Sequence, residues 1–140
     1  MGATADAPAG QAVATKLGFK SGQVVQEFGY DDDVDLDLRE AIEEVTGAGL
    51  LDEETDEVVD TVVLWWREGD GDLIDALVDA LTSLVEGGNV WLLTPKPGRA
   101  GYVEASDIED AAPTAGLHAM SSVSAGPEWS GTRLASRNRR

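Results

Sequence analysis

Thr94, Lys96 and Arg99 directly follow an apolar run, Val90-Trp91-Leu92-Leu93. Two cations and a hydroxyl at the exit of such a run can hold a small anionic ligand or an acidic segment of a partner. In an open α/β sheet, ligands bind outside the carboxyl ends of the strands, where this loop falls. Trp129, Ser130 and Arg133 join the constellation if the last strand lies beside this one. The competing reading is a plain loop whose cations offset an acidic surface. Asp31, Asp32, Asp33 and Asp35 form a second constellation. A calcium loop of the EF-hand type needs Gly at its sixth position and Glu at its twelfth. Counted from Asp31, those places hold Leu36 and Ile42, so no metal is expected. The carboxylates suit the positive start of a helix, with Asp32 or Asp33 as its cap, and also a docking face for a basic partner. His118 is the single histidine and the chain has no cysteine, which excludes multi-histidine and thiolate metal sites. No nucleophile and base stand together in sequence, so no catalytic residue is assigned.

The elements that must position these residues alternate. Gln23–Phe28 reads as a strand, followed by a helix with Val34, Leu38, Ala41, Ile42 and Val45 on one face. Gly47 or Gly49 ends that helix. Val58–Trp66 is nearly continuous apolar sequence, as in a parallel strand covered on both faces. A second helix opens at Asp70-Gly71-Asp72 and carries an apolar stripe from Leu73 to Val85, with Gly87-Gly88 as its stop. Val90–Leu93 is the third strand. Ser106-Asp107-Ile108-Glu109 has the spacing of a capping box, and Pro113 breaks the last turn of the helix that follows. Strands around Met120–Ser124 and Trp129–Leu134 close the chain. The aromatic residues Trp65, Trp66 and Trp91 read as core, and successive strand residues point to opposite faces, so Trp65 and Trp66 are not expected to line one cleft. Trp129, beside a Gly-Pro turn, is the exception with a ligand-facing place.

The chain has 140 residues and 42% hydrophobic residues, enough for one domain with a real core. Residues 1–15 read as a disordered tail, 16–135 as a single α/β domain and 136–140 as a basic tail. The net charge is −17 and unevenly placed: from Glu27 to Glu86, 21 carboxylates stand against Arg39 and Arg67 alone. Such a field repels nucleic acid and anionic lipid, which excludes both as partners of the acidic face. No apolar run approaches the roughly 20 residues of a membrane span. The start of the chain has no basic, apolar leader pattern, and a cytoplasmic protein is expected.

Leu84 to Lys96, followed by a helix ending at Ala115-Gly116-Leu117 and a terminal hairpin, resembles the second half of a class I methyltransferase fold. The resemblance implies a Rossmann-like open sheet of about five strands with helices on both faces. Its order would be 1-2-3-5-4, mostly parallel, with an antiparallel last strand. Those enzymes carry a glycine-rich cofactor loop after their first strand. Here the equivalent loop, Glu27-Phe28-Gly29-Tyr30-Asp31-Asp32-Asp33, has one glycine and several carboxylates. Strands of the cofactor-ribose side are missing as well, so no cofactor is expected. Lys16–Glu27, Leu64–Arg67, Gly71–Ala80, Trp91–Lys96 and Trp129–Leu134 resemble an actinobacterial family of unknown function, the domain family numbered three-thousand-fifty-two. That resemblance implies a fold and transfers no functional residues.

Two functions stay open on this reading. One is a non-enzymatic binding or regulatory module that engages a protein partner through its acidic face. The other is a degenerate methyltransferase-like domain that binds or acts on a small molecule at the Thr94–Arg99 loop.

Overall fold

A computed structural model describes residues 9–136, with side chains described from Val13. Its elements are α1 (Ala9–Lys16), β1 (Val25–Phe28), α2 (Leu36–Thr46), β2 (Val59–Trp65), α3 (Leu73–Ala80), β3 (Leu84–Pro95), α4 (Ala105–Thr114), β4 (Leu117–Ser124) and β5 (Trp129–Ser136). The five strands form one sheet in the order β1-β2-β3-β5-β4. β1, β2 and β3 are mutually parallel, and β5 runs antiparallel to both β3 and β4.

Alternation along the inner strands feeds two cores. Val62, Leu64, Val90 and Leu92 face α3 and α4, where Leu77, Ala80, Ile108 and Ala112 meet them. Val63, Trp65, Trp91 and Leu93 face α1 and α2, against Ala14, Leu17, Leu38 and Ile42. Each fully buried aliphatic side chain contributes about 1.5–3 kcal/mol, and the sheet places such residues on both faces. The result is three layers with helices on either side of the sheet.

Several local expectations change. α1 begins inside the stretch read as a tail, and its Ala14 is buried because it packs into the second core. The buried indole of Trp91 donates to the carbonyl of Leu17 at 3.1 Å, which pins the end of this helix to the sheet. Residues 1–8 and 137–140, including most of the basic tail, lie outside the described residues. The cap of α2 is Asp35, whose carboxylate accepts from the Leu38 N–H, not Asp32 or Asp33. Gly47 ends α2 in the left-handed region, with φ at 86°. Asp72 caps α3 by accepting from the N–H groups of Ile74 and Asp75. The capping box at Ser106 does not form: α4 starts at Ala105 after Glu104, with no side-chain cap. Pro113 sits in the last turn of α4, where the helix ends a residue later.

The largest difference concerns Leu84–Gly88. α3 stops at Ala80, and β3 already begins at Leu84, so Gly87-Gly88 lies inside a strand. Val59 pairs with Leu84 and Thr61 with Asn89, so three residues of β2 span six of β3 and the surplus bulges outward. A Cβ at Gly88 would lie 2.8 Å from the Asp60 carbonyl oxygen, so glycine is what lets the bulge close against β2.

Candidate functional site

At the exit of β3 the structure brings together only part of the predicted constellation. Thr94 pairs with Ser130, and Pro95 with Trp129, so these residues do meet. Arg133 pairs with Trp91, further back along the strand, and is separated from the exit. Thr94 is buried. The two cations already have partners: Lys96 Nζ donates to Ser124 Oγ at 2.7 Å, and Arg99 pairs with Glu128 at 3.1 Å. Trp129 is buried rather than ligand-facing. Its ring meets Trp65 edge-on, with centroids 4.9 Å apart, and its indole N–H donates to the Asp33 carbonyl at 3.2 Å.

The polar centre of the molecule lies instead at the carboxyl ends of β1 and β2, and Arg67 and Glu27 organise it. Glu27, the third residue of β1, is a buried carboxylate. Its Oε2 accepts from Arg39 Nε at 2.6 Å and from the Trp65 indole at 2.8 Å, while Oε1 accepts from Arg39 Nη2 at 2.9 Å. A bidentate pair of this kind satisfies a buried charge that would otherwise be costly. Hydrogen bonding to Glu27, aided by Glu43 and Tyr30 against the cost of burial, raises the Arg39 pKa. The Arg39 guanidinium also stacks over Tyr30, 4.7 Å from the ring centroid.

Arg67 lies two residues past the end of β2. Its Nε and Nη2 clasp the two carboxylate oxygens of Asp33. Its Nη1 donates to the Gly29 carbonyl at 2.9 Å and the Trp65 carbonyl at 3.3 Å, and pairs with Asp70 at 3.3 Å. The guanidinium lies 5.4 Å from the centre of the Trp129 ring. Burial opposes its charge, but the bonds to Asp33 and Asp70 outweigh that, and its pKa is raised. The Arg67 hydrogen bond in turn holds the Asp33 carboxyl below the usual carboxylate range. Beneath this clasp the loop after β1 touches the exit of β2. Gly29 has φ at 79°, and a Cβ there would fall 2.2 Å from the Trp65 carbonyl oxygen. Its single glycine therefore serves close packing between two strand exits.

Beside the clasp a cavity of about 330 Å³ is lined by Phe28, Tyr30, Leu64, Trp65, Trp66 and Arg67. Trp65 and Trp66 thus both border one cleft, contrary to expectation, because β2 ends at Trp65 and strict alternation stops there. Of the predicted acidic face, Asp33 is bound to Arg67 and Asp35 to the start of α2, whereas Asp31 and Asp32 are exposed. Among the described residues, no group of three or more His, Asp or Glu side chains can hold a metal ion. No described helix is long and apolar enough to cross a membrane. Sequence reasoning passed over Glu27, Arg39 and Arg67. The available signal was that the acidic half contains only two cations, and both are consumed internally.

This architecture is shared with solved methyltransferases. A SAM-dependent methyltransferase from Aquifex aeolicus superposes with a TM-score of 0.62 at 12% identity, covering 91% of this chain and 89% of that one. The pyocyanin biosynthetic protein PhzM gives 0.68 at 13% identity, covering 92% of this chain and 54% of that one. The magnesium protoporphyrin IX methyltransferase of Synechocystis, solved with bound SAM, gives 0.54 at 13% identity over 90% of this chain and 76% of that one. At such identities the likeness defines the fold: a Rossmann-like, methyltransferase-like α/β domain. Within it, the chain belongs to the family described as protein of unknown function (DUF3052), which matches residues 14–138. The uncharacterized proteins Rv2239c of Mycobacterium tuberculosis and Mb2263c of Mycobacterium bovis are each 55% identical to it over 121 residues, covering 86% of this chain and 76% of theirs.

Proposed function

We propose that this domain is a methyltransferase-like scaffold that works as a cytoplasmic binding or regulatory module for a basic segment of a protein partner. The observation that carries this reading is the clasp of Arg67 across the exits of β1 and β2. The loop corresponding to a cofactor loop is bonded to the chain itself: Gly29 lies against Trp65, and Asp33 is held by Arg67. Phosphate- and carboxylate-bearing ligands would also meet a local excess of negative charge. With Arg39 and Arg67 consumed internally, that charge is free to steer a basic partner.

Calorimetric titrations test the proposal. S-adenosylmethionine should give no saturable heat. An arginine- and lysine-rich peptide should bind at low salt and lose affinity as the screening length falls toward about 3 Å. Saturable S-adenosylmethionine binding, or the absence of peptide binding at low salt, would overturn it. One observation supports the alternative, a degenerate methyltransferase-like domain taking a small molecule: the cavity of about 330 Å³ lies within the size range of ligand pockets. An anion at Thr94, Lys96 and Arg99, by contrast, would have to displace Glu128 and Ser124 from the two cations.

A further inference from the structure

Gln26 is a buried amide in β1 whose hydrogen bonding is half complete. Its Nε2 donates to the carbonyls of Asp52 at 3.0 Å and Thr55 at 3.3 Å. Both partners are acceptors, so the amide cannot be turned round, and its Oε1 is left as a buried acceptor with no partner. The residue is only 1% exposed. An unpaired buried acceptor of this kind costs about 1–3 kcal/mol and asks for an explanation. Gln26 lines a cleft of about 380 Å³ together with Phe28, Glu53, Glu54, Asp56 and Asp79. This cleft lies between the loop after α2 and the end of α3. Its carboxylates form no ion pair among the described residues.

We infer that this cleft receives the guanidinium of an arginine carried on a partner segment, with Gln26 Oε1 as an acceptor at its floor. The inference rests on the basic-partner reading above and names where the partner inserts. Four carboxylates at the rim exclude an anion. They do not converge as a metal site does. A planar group with five N–H donors can serve an amide oxygen and a rim carboxylate together, which a compact ammonium does less well. The half-buried Phe28 ring adds a face for the same cation.

The test is a titration of ¹⁵N-labelled protein with a short peptide bearing one arginine among glycines and serines. The same peptide with lysine, and with neutral citrulline, are the comparators. The arginine peptide should shift the Gln26 side-chain amide signals saturably, the lysine peptide more weakly, and the citrulline peptide not at all. The double variant D56N/D79N, altered only at exposed positions, should weaken arginine-peptide binding about tenfold or more. Gln26→Met should weaken it too, but that change also frees the Asp52 and Thr55 carbonyls, so the exposed pair carries the test independently. If the arginine peptide binds while the Gln26 signals stay still and D56N/D79N binds equally well, this site is overturned and the basic-partner reading survives. If no cationic peptide binds at low salt, both fall.

Discussion

At the scale of single residues, Gly29 and Arg67 form the joint between two strand exits. Gly29→Ala places a methyl group against the Trp65 carbonyl in a backbone region that disfavours side chains. It should destabilise the fold by about 3 kcal/mol or more in urea unfolding. Gly18→Ala, also at positive φ but in open space, is the control and should cost about 1–2 kcal/mol. Equal losses for the two would remove the packing role of Gly29. Asp33 supplies a pH signature. Its carboxyl titrates lower in the folded chain than in the unfolded one, because Arg67 donates to it. The stabilisation is therefore complete above the unfolded carboxylate range, near about 4, and disappears as pH falls through the lower folded value. Urea midpoints of the parent chain and Asp33→Asn should differ at neutral pH and converge in acid. Parallel curves would show that the Asp33–Arg67 bond adds nothing. Arg39 and Arg67 stay charged throughout and do not contribute to this limb. None of this joint was legible in the sequence. A buried Glu bonded to an Arg twelve residues on, and a glycine needed by a carbonyl 36 residues away, are tertiary facts with no periodic signature.

At the scale of elements, strands and helices with a strong period were legible, and their ends were not. Val58–Trp66 reads as a buried strand because its apolar run is interrupted only at Asp60 and Thr61, and β2 occupies Val59–Trp65. Leu81, Leu84 and Val85 continue the helical spacing of α3, yet the chain turns at Leu81–Ser83 and enters β3. Pairing of Leu84 with Val59 overrides the local preference there. Gly88→Ala tests this arrangement, because its methyl group would press on the Asp60 carbonyl and the Leu84 side chain. A loss of about 1–3 kcal/mol is expected, with faster amide exchange localised to Val59–Thr61 and Leu84–Val90. An unchanged exchange pattern would mean that the bulge does not need a glycine. Asp35 shows the opposite case: a residue read as part of a docking face is committed to the first turn of α2.

For the whole molecule, the alternation of strands and helices made the layered α/β class readable, and the acidic bias pointed to a basic partner. The place where such a partner would insert was not readable. Gln26 sits beside Glu27 in a four-residue strand, and the parallel bridge to Leu51 together with the Gln26 amide bonds to Asp52 and Thr55 brings the acidic loop beside it. The predicted β3 exit and the cleft found at β1 lie on different strands of one sheet. The first follows from the rule that carboxyl ends bind, whereas the second is marked by the unpaired acceptor of Gln26, which has no sequence pattern of its own.

The bond from the Trp91 indole to the Leu17 carbonyl has a consequence for where an autonomously folding unit can be cut. A chain trimmed to start at Gly18 keeps every strand and yet strips a buried donor at the centre of the sheet of its acceptor. It also uncovers the surface under Ala14 and Leu17. Such a truncation should melt well below a chain trimmed to start at Ala9, by about 2–5 kcal/mol in stability, and show a red-shifted tryptophan emission. Matching melting curves for the two would make the first helix dispensable. The expected gap makes it a wedge that the central strand holds from within.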